Sequence, residues 1–440
     1  MTMEEKSRIY AEELASLIRC ETVSLHGEKN EEKFSRFHAV LFKTFPLLRE
    51  TCSLELFDCS LLLRWKGKSE GAPICLMSHH DVVEAPGEWT YPPFSGTVAE
   101  GKLWGRGTLD TKSSLYSFLK AAEELMQEGF TPEHDVYFFS ASTEETDGSG
   151  ADLVTRELQK RGIRFSLVLD EGGLILYDPL GGCDADMAMI GIGEKAYADL
   201  RFVARSKGGH ASTPPKDTPL VRLGKFMAEM DKAKCFQVAM SPAVAEMFEA
   251  SAPACKGALK FLFSHASKLR GLLAFIMSRV SLTAAAMLRS TLAFTQAGAS
   301  AEANVLPTEA YVVANLRSSH HQGHKGSLEA IEKIAKKYDI EMIPQDLGKD
   351  SAITSTKEEG YQKLVRALRE SWPEVLPVPY IMNSASDCRF FDRVSSCCLR
   401  FTPFKIDEQQ LDSIHGLNEN LDIINLPKAV AFYKKILRES

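Results

Sequence analysis

Three apolar runs that each end in histidine or carboxylate constrain this chain more than any other feature. They are ICLMSHHD at 74–81, HDVYFFSASTEE at 134–145 and FSLVLDEGG at 165–173. Each reads as a short buried strand with polar residues at its C-terminal end. Helical patterns follow at 111–127 and 150–161. Strands alternating with helices build a mostly parallel α/β sheet. Ligands of such sheets gather outside the carboxyl ends of the strands. The expected site is therefore where these runs end.

From about Glu194 the texture changes. KAYADLRFVARS is an alternating strand, a helix follows near 220–231, and STLAFTQAGA and EAYVVANLR are strands. A helix at 327–337 and the short strand IEMIPQ complete a β-α-β-β-α-β order. That order suits a small split-βαβ, ferredoxin-like unit. Residues 235–289 read as an apolar, helical excursion within it. The expected organisation is a catalytic domain of residues 1–193 and 349–440, interrupted by a lid and dimerisation domain at 194–348. A chain of 440 residues is long enough for two cores.

A net charge of -7 leaves no basic footprint, so no nucleic-acid partner is expected. The acidic, amphipathic start MTMEEKSRIYAEELASLIRC lacks the basic and apolar regions of a secretory signal. The most membrane-like stretch, GLLAFIMSRVSLTAAAML, is interrupted by Arg279 and flanked by Arg270 and Arg289. A span needs about 20 predominantly apolar residues. The stretch therefore reads as a buried or lid helix, and no membrane partner is expected. The ten cysteines form no CxxC pair, which suits reduced, mostly buried thiols and a cytoplasmic protein.

Nitrogen and oxygen donors stand at His79, Asp110, Glu145, the Asp170–Glu171 pair and His415. Singly, each is as ordinary as a surface histidine or a solvated acidic loop. Together they form a set that suits zinc, which binds imidazole and carboxylate and keeps an open position in catalytic sites. Two metals about 3.5–4 Å apart need a bridging group and flanking ligands, and this set supplies them. Asp81, two residues beyond His79, would point the same way along a strand and hold the other imidazole nitrogen. A magnesium-type site would favour oxygen ligands alone, so His79 and His415 speak against it. Cobalt or manganese could replace zinc.

The motifs HHDVV, WTYPPFSG, GRGTLDTKS, STEETDGSGA, LDEGG, GGHASTPP, NVLPTEAYVVANLR, SDCRFF and IHGLNE occur in this order over about 79–419. The ordered set resembles the two-zinc aminoacylase/carboxypeptidase peptidases, which include N-acyl-amino-acid hydrolases and carboxypeptidase S-like enzymes. The resemblance implies two Zn²⁺ per chain. It makes His79 a ligand, Asp81 its orienter and His80 the variable position of a His-any-Asp pattern. Asp110 resembles the bridging carboxylate, and Glu145 and His415 resemble ligands of one zinc. His79 and an acid of LDEGG resemble ligands of the other; Glu171 lines up better than Asp170.

By the same resemblance Glu144 is the general base. His210 is an oxyanion stabiliser on the lid, often delivered by the partner subunit of a homodimer. Asn304 and Arg317 hold the substrate carboxylate, a task that suits the planar fork of arginine. Asp387 and Arg389 match a further loop of structural or substrate-contacting character. The implied activity is metal-dependent hydrolysis of the amide bond of N-acyl amino acids or short peptides with a free α-carboxylate. The alternative is a non-catalytic, metal-dependent binding module on the same fold, against which the retained Glu144 speaks. Leu259, Phe261, Leu262, Phe263, Leu272, Leu273 and Phe275 suggest either a wall for an acyl chain or mutual packing and a dimer contact.

Overall fold

The strand Ile74–His79 is buried along its whole length. Ile74 and Leu76 belong to the core on one face of the sheet, and Cys75 and Met77 to the core on the other. A strand covered on both faces has no polar alternation to display, which is why ICLM reads as a continuous apolar run. The computed structural model describes residues 2–27, 31–232, 234–280 and 282–440. In it, Ile74–His79 lies between Val136–Ala141 and Leu167–Asp170 and runs parallel to both.

The sheet continues outward as Ser53–Phe57, Ser60–Trp65, Val136–Ala141, Ile74–His79, Leu167–Asp170, Cys398–Arg400, Asp186–Glu194 and Leu376–Met382. Ile175–Tyr177 pairs with Asp186–Glu194 off this path. The centre is parallel, as expected. The strands Ser53–Phe57 and Ser60–Trp65 add antiparallel pairs at one edge. Cys398–Arg400 meets Asp186–Glu194 antiparallel as well. The sheet is therefore mixed rather than mostly parallel. Helix Lys112–Gln127 buries Leu115, Phe118 and Leu119 on one face. Helix Ser149–Lys160 buries Ala151, Val154 and Leu158 on the other.

A second sheet of four antiparallel strands has the order Thr291–Gly298, Glu309–Ser318, Ala196–Arg205, Glu341–Leu347. Helices Pro219–Lys232 and His324–Lys337 close its core with Phe226 and Ile331 against Leu200, Phe202 and Leu316. Between the first two of its strands in chain order lie helices Pro242–Ser251, Gly257–Ser264, Arg270–Val280 and Leu282–Leu288. Their buried side chains do not join this small core. Val244, Phe248, Phe263 and Leu273 share the main core with Val378 and Ile381 of the edge strand Leu376–Met382. The excursion thus leaves the small sheet and packs on the large one. No described helix is long and apolar enough to cross a membrane.

The expectation that all cysteines are reduced is corrected. Cys183 and Cys255 form a disulfide across a sequence separation of 72, tying the turn before Asp186–Glu194 to the end of the first excursion helix. Both are buried; sequence spacing alone holds no signal for a pair so far apart. Alkylation of the denatured, unreduced protein is expected to label the eight remaining cysteines, as read by intact mass. Labelling of all ten would remove the bond.

Candidate active site

The parallel register sets the site. His79 is the last residue of its strand and lies opposite Ala141, the last residue of Val136–Ala141. The chain then turns at once, so Glu144 and Glu145 follow within a few residues of the same edge. Asp170 ends the neighbouring parallel strand, with Glu171 next. Asp110 precedes helix Lys112–Gln127. His415 follows helix Glu408–Ser413 at φ 58°, a left-handed conformation that costs a non-glycine residue about 1–2 kcal/mol.

Asp110 stands at the middle. Its Oδ1 is 2.9 Å from His79 Nε2 and its Oδ2 is 3.0 Å from His415 Nε2. His415 Nε2 is also 3.1 Å from Glu145 Oε2. Ligand atoms of His79, Asp110 and Glu145 all lie within 4.8 Å of one another. The second oxygen of Glu145, Oε1, is buried without a hydrogen-bond partner among the described residues. Glu144 Oε2 lies 3.9 Å from His79 Nε2, beyond hydrogen-bond reach.

The electrostatics are those of crowded carboxylates. Burial, reinforced by neighbouring acids, pushes the Glu144 and Glu171 carboxyls well above the usual range and raises Glu145 as well. Burial also works against ionised Asp110, but hydrogen bonds from His415 and His79 outweigh it and hold that carboxyl low. Hydrogen bonding to Asp110 and Glu145 raises the His415 imidazole to about 10. This dense set of anionic oxygens and imidazole nitrogens fits a divalent cation, which displaces imidazole protons as it binds. The buried, unpartnered Glu145 oxygen is a free ligand position in that set.

Asp81 does more than orient one ring. Its Oδ1 is 3.4 Å from His79 Nδ1, and the same nitrogen is 3.0 Å from the Asp81 carbonyl oxygen. Its carboxylate also accepts the backbone N–H groups of Glu144 at 3.3 Å and Glu145 at 3.1 Å, and the Ser24 hydroxyl at 2.7 Å. One buried carboxylate therefore aligns the histidine and the glutamate loop together. His80, the variable position of the pattern, is fully buried away from the donor cluster's bonds: it stacks on Phe37 at 4.8 Å and bonds Ser140 Oγ at 2.8 Å.

Asp170 and Glu171 differ in what they touch. The two Asp170 oxygens accept the Glu171 and Cys388 backbone N–H groups, each at 2.9 Å. The Glu171 carboxylate takes no hydrogen bond from any described residue, and that leaves it free for another partner.

The remaining sequence candidates lie apart from the cluster's bonds. His210 is exposed, and its imidazole Nδ1 bonds only within its own turn, to Ser212 Oγ at 2.8 Å and Ser212 N at 3.1 Å. It sits on a two-stranded ribbon, Gly209–His210 with Val305–Leu306. Asn304 is next to it, its carbonyl accepting Ala211 N–H at 3.0 Å. Arg317, on Glu309–Ser318, lies over the Tyr197 ring at 5.3 Å. Its Nε donates to Asn315 Oδ1 at 3.0 Å, while its Nη1 is buried without a hydrogen-bond partner among the described residues. Arg389 stands on the same Tyr197 ring at 5.9 Å. Asp387 is buried, and neither of its carboxylate oxygens has a hydrogen-bond partner among the described residues.

Glu419 escaped the sequence assignment although it closes the IHGLNE stretch. It is fully buried and accepts the backbone N–H groups of Gly107, Leu109 and Asp110 at 3.1, 2.7 and 3.1 Å. Arg106 Nη1 donates to it at 2.8 Å. It thereby fixes the loop that presents Asp110.

Fold and donor set together define a metal-dependent hydrolase. The chain belongs to Peptidase family M20/M25/M40, whose profile matches residues 75–439. It is 28% identical over 446 residues to a probable carboxypeptidase S-like 2 of Dictyostelium discoideum, covering 98% of this chain and 85% of that one. It is 28% identical over 444 residues to the human N-fatty-acyl-amino acid synthase/hydrolase PM20D1, covering 98% and 87%. The crystal structure of the M20 family metallo-carboxypeptidase Sso-CP2 from Sulfolobus solfataricus superposes with a TM-score of 0.71 at 17% identity, covering 100% of this chain and 99% of that one. The protein is accordingly a metal-dependent amidohydrolase, and the binding-module alternative falls.

Proposed function

We propose that the protein hydrolyses the amide bond of N-acyl amino acids or short peptides with a free α-carboxylate, using two metal ions. The observation that carries this is Asp110, whose two oxygens meet different imidazoles, Oδ1 that of His79 and Oδ2 that of His415, with Glu145 also on the His415 ring. Asp110 would bridge, Glu145 and His415 would complete one metal site, and His79 with Glu171 the other. The occupied oxygens of Asp170 favour Glu171 for that place. Zn²⁺, with Co²⁺ or Mn²⁺ as substitutes, would polarise the scissile carbonyl and acidify the attacking water.

The chain's own residues do the rest. Asp81 faces His79 Nδ1 and keeps Nε2 directed at the cluster. Glu144, half-buried and with a carboxylate bonded to no ligand residue, takes a proton from water and returns it to the leaving nitrogen. Arg317, with Asn304, grips the α-carboxylate, and its unpartnered Nη1 suits a ligand oxygen. The names of the carboxypeptidase S-like and N-fatty-acyl-amino-acid relatives fit both substrate types.

The test is elemental analysis and turnover on one sample. About two metals per chain and cleavage of N-acyl amino acids, with their α-amides left intact, are expected. Equal cleavage of the α-amides would end the carboxylate reading, and metal-free protein that still turns over would end the whole mechanism.

His210 is proposed to complete the site as an oxyanion donor delivered by the lid domain of residues 194–348, from the second chain of a homodimer. Its exposed ribbon position, with an imidazole bonded only to Ser212 among the described residues, fits a side chain that meets a partner. Chains carrying His210→Ala and chains carrying Glu144→Gln are each expected to be inactive. Mixed under subunit exchange, they should regain activity, because one site per heterodimer then has both residues. No recovery would place His210 in its own chain's site. As for compartment, the Cys183–Cys255 bond suits an oxidising space rather than the cytoplasm expected from the sequence, and the thiol count described above tests that bond.

A further inference from the structure

The excursion helices carry a charge pattern that the catalytic reading does not use. Between Glu249 and Glu302 there is no acidic residue, while Lys256, Lys260, Lys268, Arg270, Arg279 and Arg289 all occur, in a chain whose net charge is -7. All of these cations are exposed. Lys256 pairs with Asp184 at 3.0 Å, and the others have no acidic partner among the described residues.

The same helices turn apolar side chains outward. On Arg270–Val280 the buried residues are Leu273 and Ala274. Leu272, Phe275, Ile276 and Val280 are 51%, 58%, 40% and 73% exposed, and recur on one side of the helix. Phe261 at 61% and Leu282 at 91% extend this face. Lone exposed apolar residues are ordinary, but a cluster rimmed by unpaired cations is an interaction surface. Beside it lies an open groove of about 920 Å³, with Phe236, Met240 and Ala274 on its walls and Lys234, Arg270 and Arg289 at its edge.

We propose that this face docks peripherally on an anionic lipid bilayer, with Phe261, Leu272, Phe275 and Leu282 entering the interface and the cations meeting lipid phosphates and carboxylates. Charge decides the occupant. A symmetric contact with a second copy would set the same unpaired cations against each other, and like charges across an interface are costly. An anionic bilayer offers both apolar depth and opposite charge. Insertion is shallow, since no described helix is long and apolar enough to span. This differs from the sequence expectation of no membrane partner. That expectation weighed only whether residues 271–288 could cross a bilayer, and sequence does not tell which side of a short helix is left uncovered. The proposal stands independently of the catalytic assignment.

The experiment is cosedimentation of the full chain with phosphatidylcholine–phosphatidylserine vesicles and with phosphatidylcholine vesicles. Wild type is expected to pellet with the former and not the latter, and to be released as salt rises from about 0.1 to 1 M and charges are screened. Lys268→Glu with Arg270→Glu should weaken binding by about tenfold or more. Leu272→Ser with Leu282→Ser should weaken it at unchanged net charge. Both double variants should keep the wild-type Tm and the wild-type rate on a water-soluble N-acetyl amino acid. Wild type that stays in the supernatant of anionic vesicles, equal binding to neutral vesicles, or variants that bind as well as wild type would each overturn the proposal. So would light scattering in which these substitutions turn a dimer into monomers without any vesicle binding, which would make the face a contact between copies.

Discussion

Glu144→Gln is expected to lower kcat by about 10²- to 10⁴-fold, the usual worth of a positioned acid–base group, while metal content and Tm stay at wild-type values. The two glutamates of this loop make the test sharp. The Glu145 carboxylate reaches His415 Nε2 at 3.1 Å and belongs to the donor cluster. The Glu144 carboxylate reaches no described donor, and its nearest approach is 3.9 Å to His79 Nε2. Glu145→Gln should therefore lose metal, whereas Glu144→Gln should lose only turnover. Because Asp81 holds both residues through their backbone N–H groups, neither exchange disturbs the loop itself. Equal metal loss in the two variants would remove the distinction between ligand and base. Full activity in Glu144→Gln would remove the base.

Glu419→Ala carries the largest expected cost in stability. The change strips the backbone N–H groups of Gly107, Leu109 and Asp110 of their acceptor and leaves Arg106 as a buried cation. Breaking a buried ion pair from one side costs about 3–5 kcal/mol, because the remaining charge is uncompensated. Denaturant unfolding measures this directly. Metal affinity should fall by about 10- to 100-fold as well, as it does when a group that orients a ligand is lost. The double change Arg106→Met with Glu419→Leu separates the two effects. It should recover much of the stability, since no charge is stranded, but not the affinity, since the Asp110 loop still lacks its acceptor. Recovery of both would show that Glu419 is only half of an ion pair.

What the sequence displayed and what it concealed follow from the range of the interactions. His79, Glu144, Glu145, Asp170 and Glu171 stand out because each ends, or follows within a few residues, a strand whose burial on both faces writes a continuous apolar run. Neighbouring parallel strands then bring their ends together. The antiparallel edge was not legible, because LRW of Ser60–Trp65 pairs by the same backbone groups in either direction. Glu419 was in view but without a role: its partners lie some 310 residues earlier and three of them are backbone N–H groups, which leave no mark on residue type. The Cys183–Cys255 bond was hidden for the same reason of distance. His210 and Asn304 stood in the sequence as separate candidates; the ribbon that holds their backbones together is not marked there, and their nearness to the donor cluster depends on an arrangement of domains that short motifs do not encode.

The Glu419 clamp also orders events on the ribosome. Arg106 and Glu419 are 313 positions apart. At about 5–20 residues per second, roughly 15–60 s separate their translation. Throughout that interval the nascent chain presents Asp110 on a loop without its anchor, and His415 does not yet exist. With the ligand set proposed above, metal capture waits for a nearly finished polypeptide, and a product cut short before residue 415 is expected to be inactive.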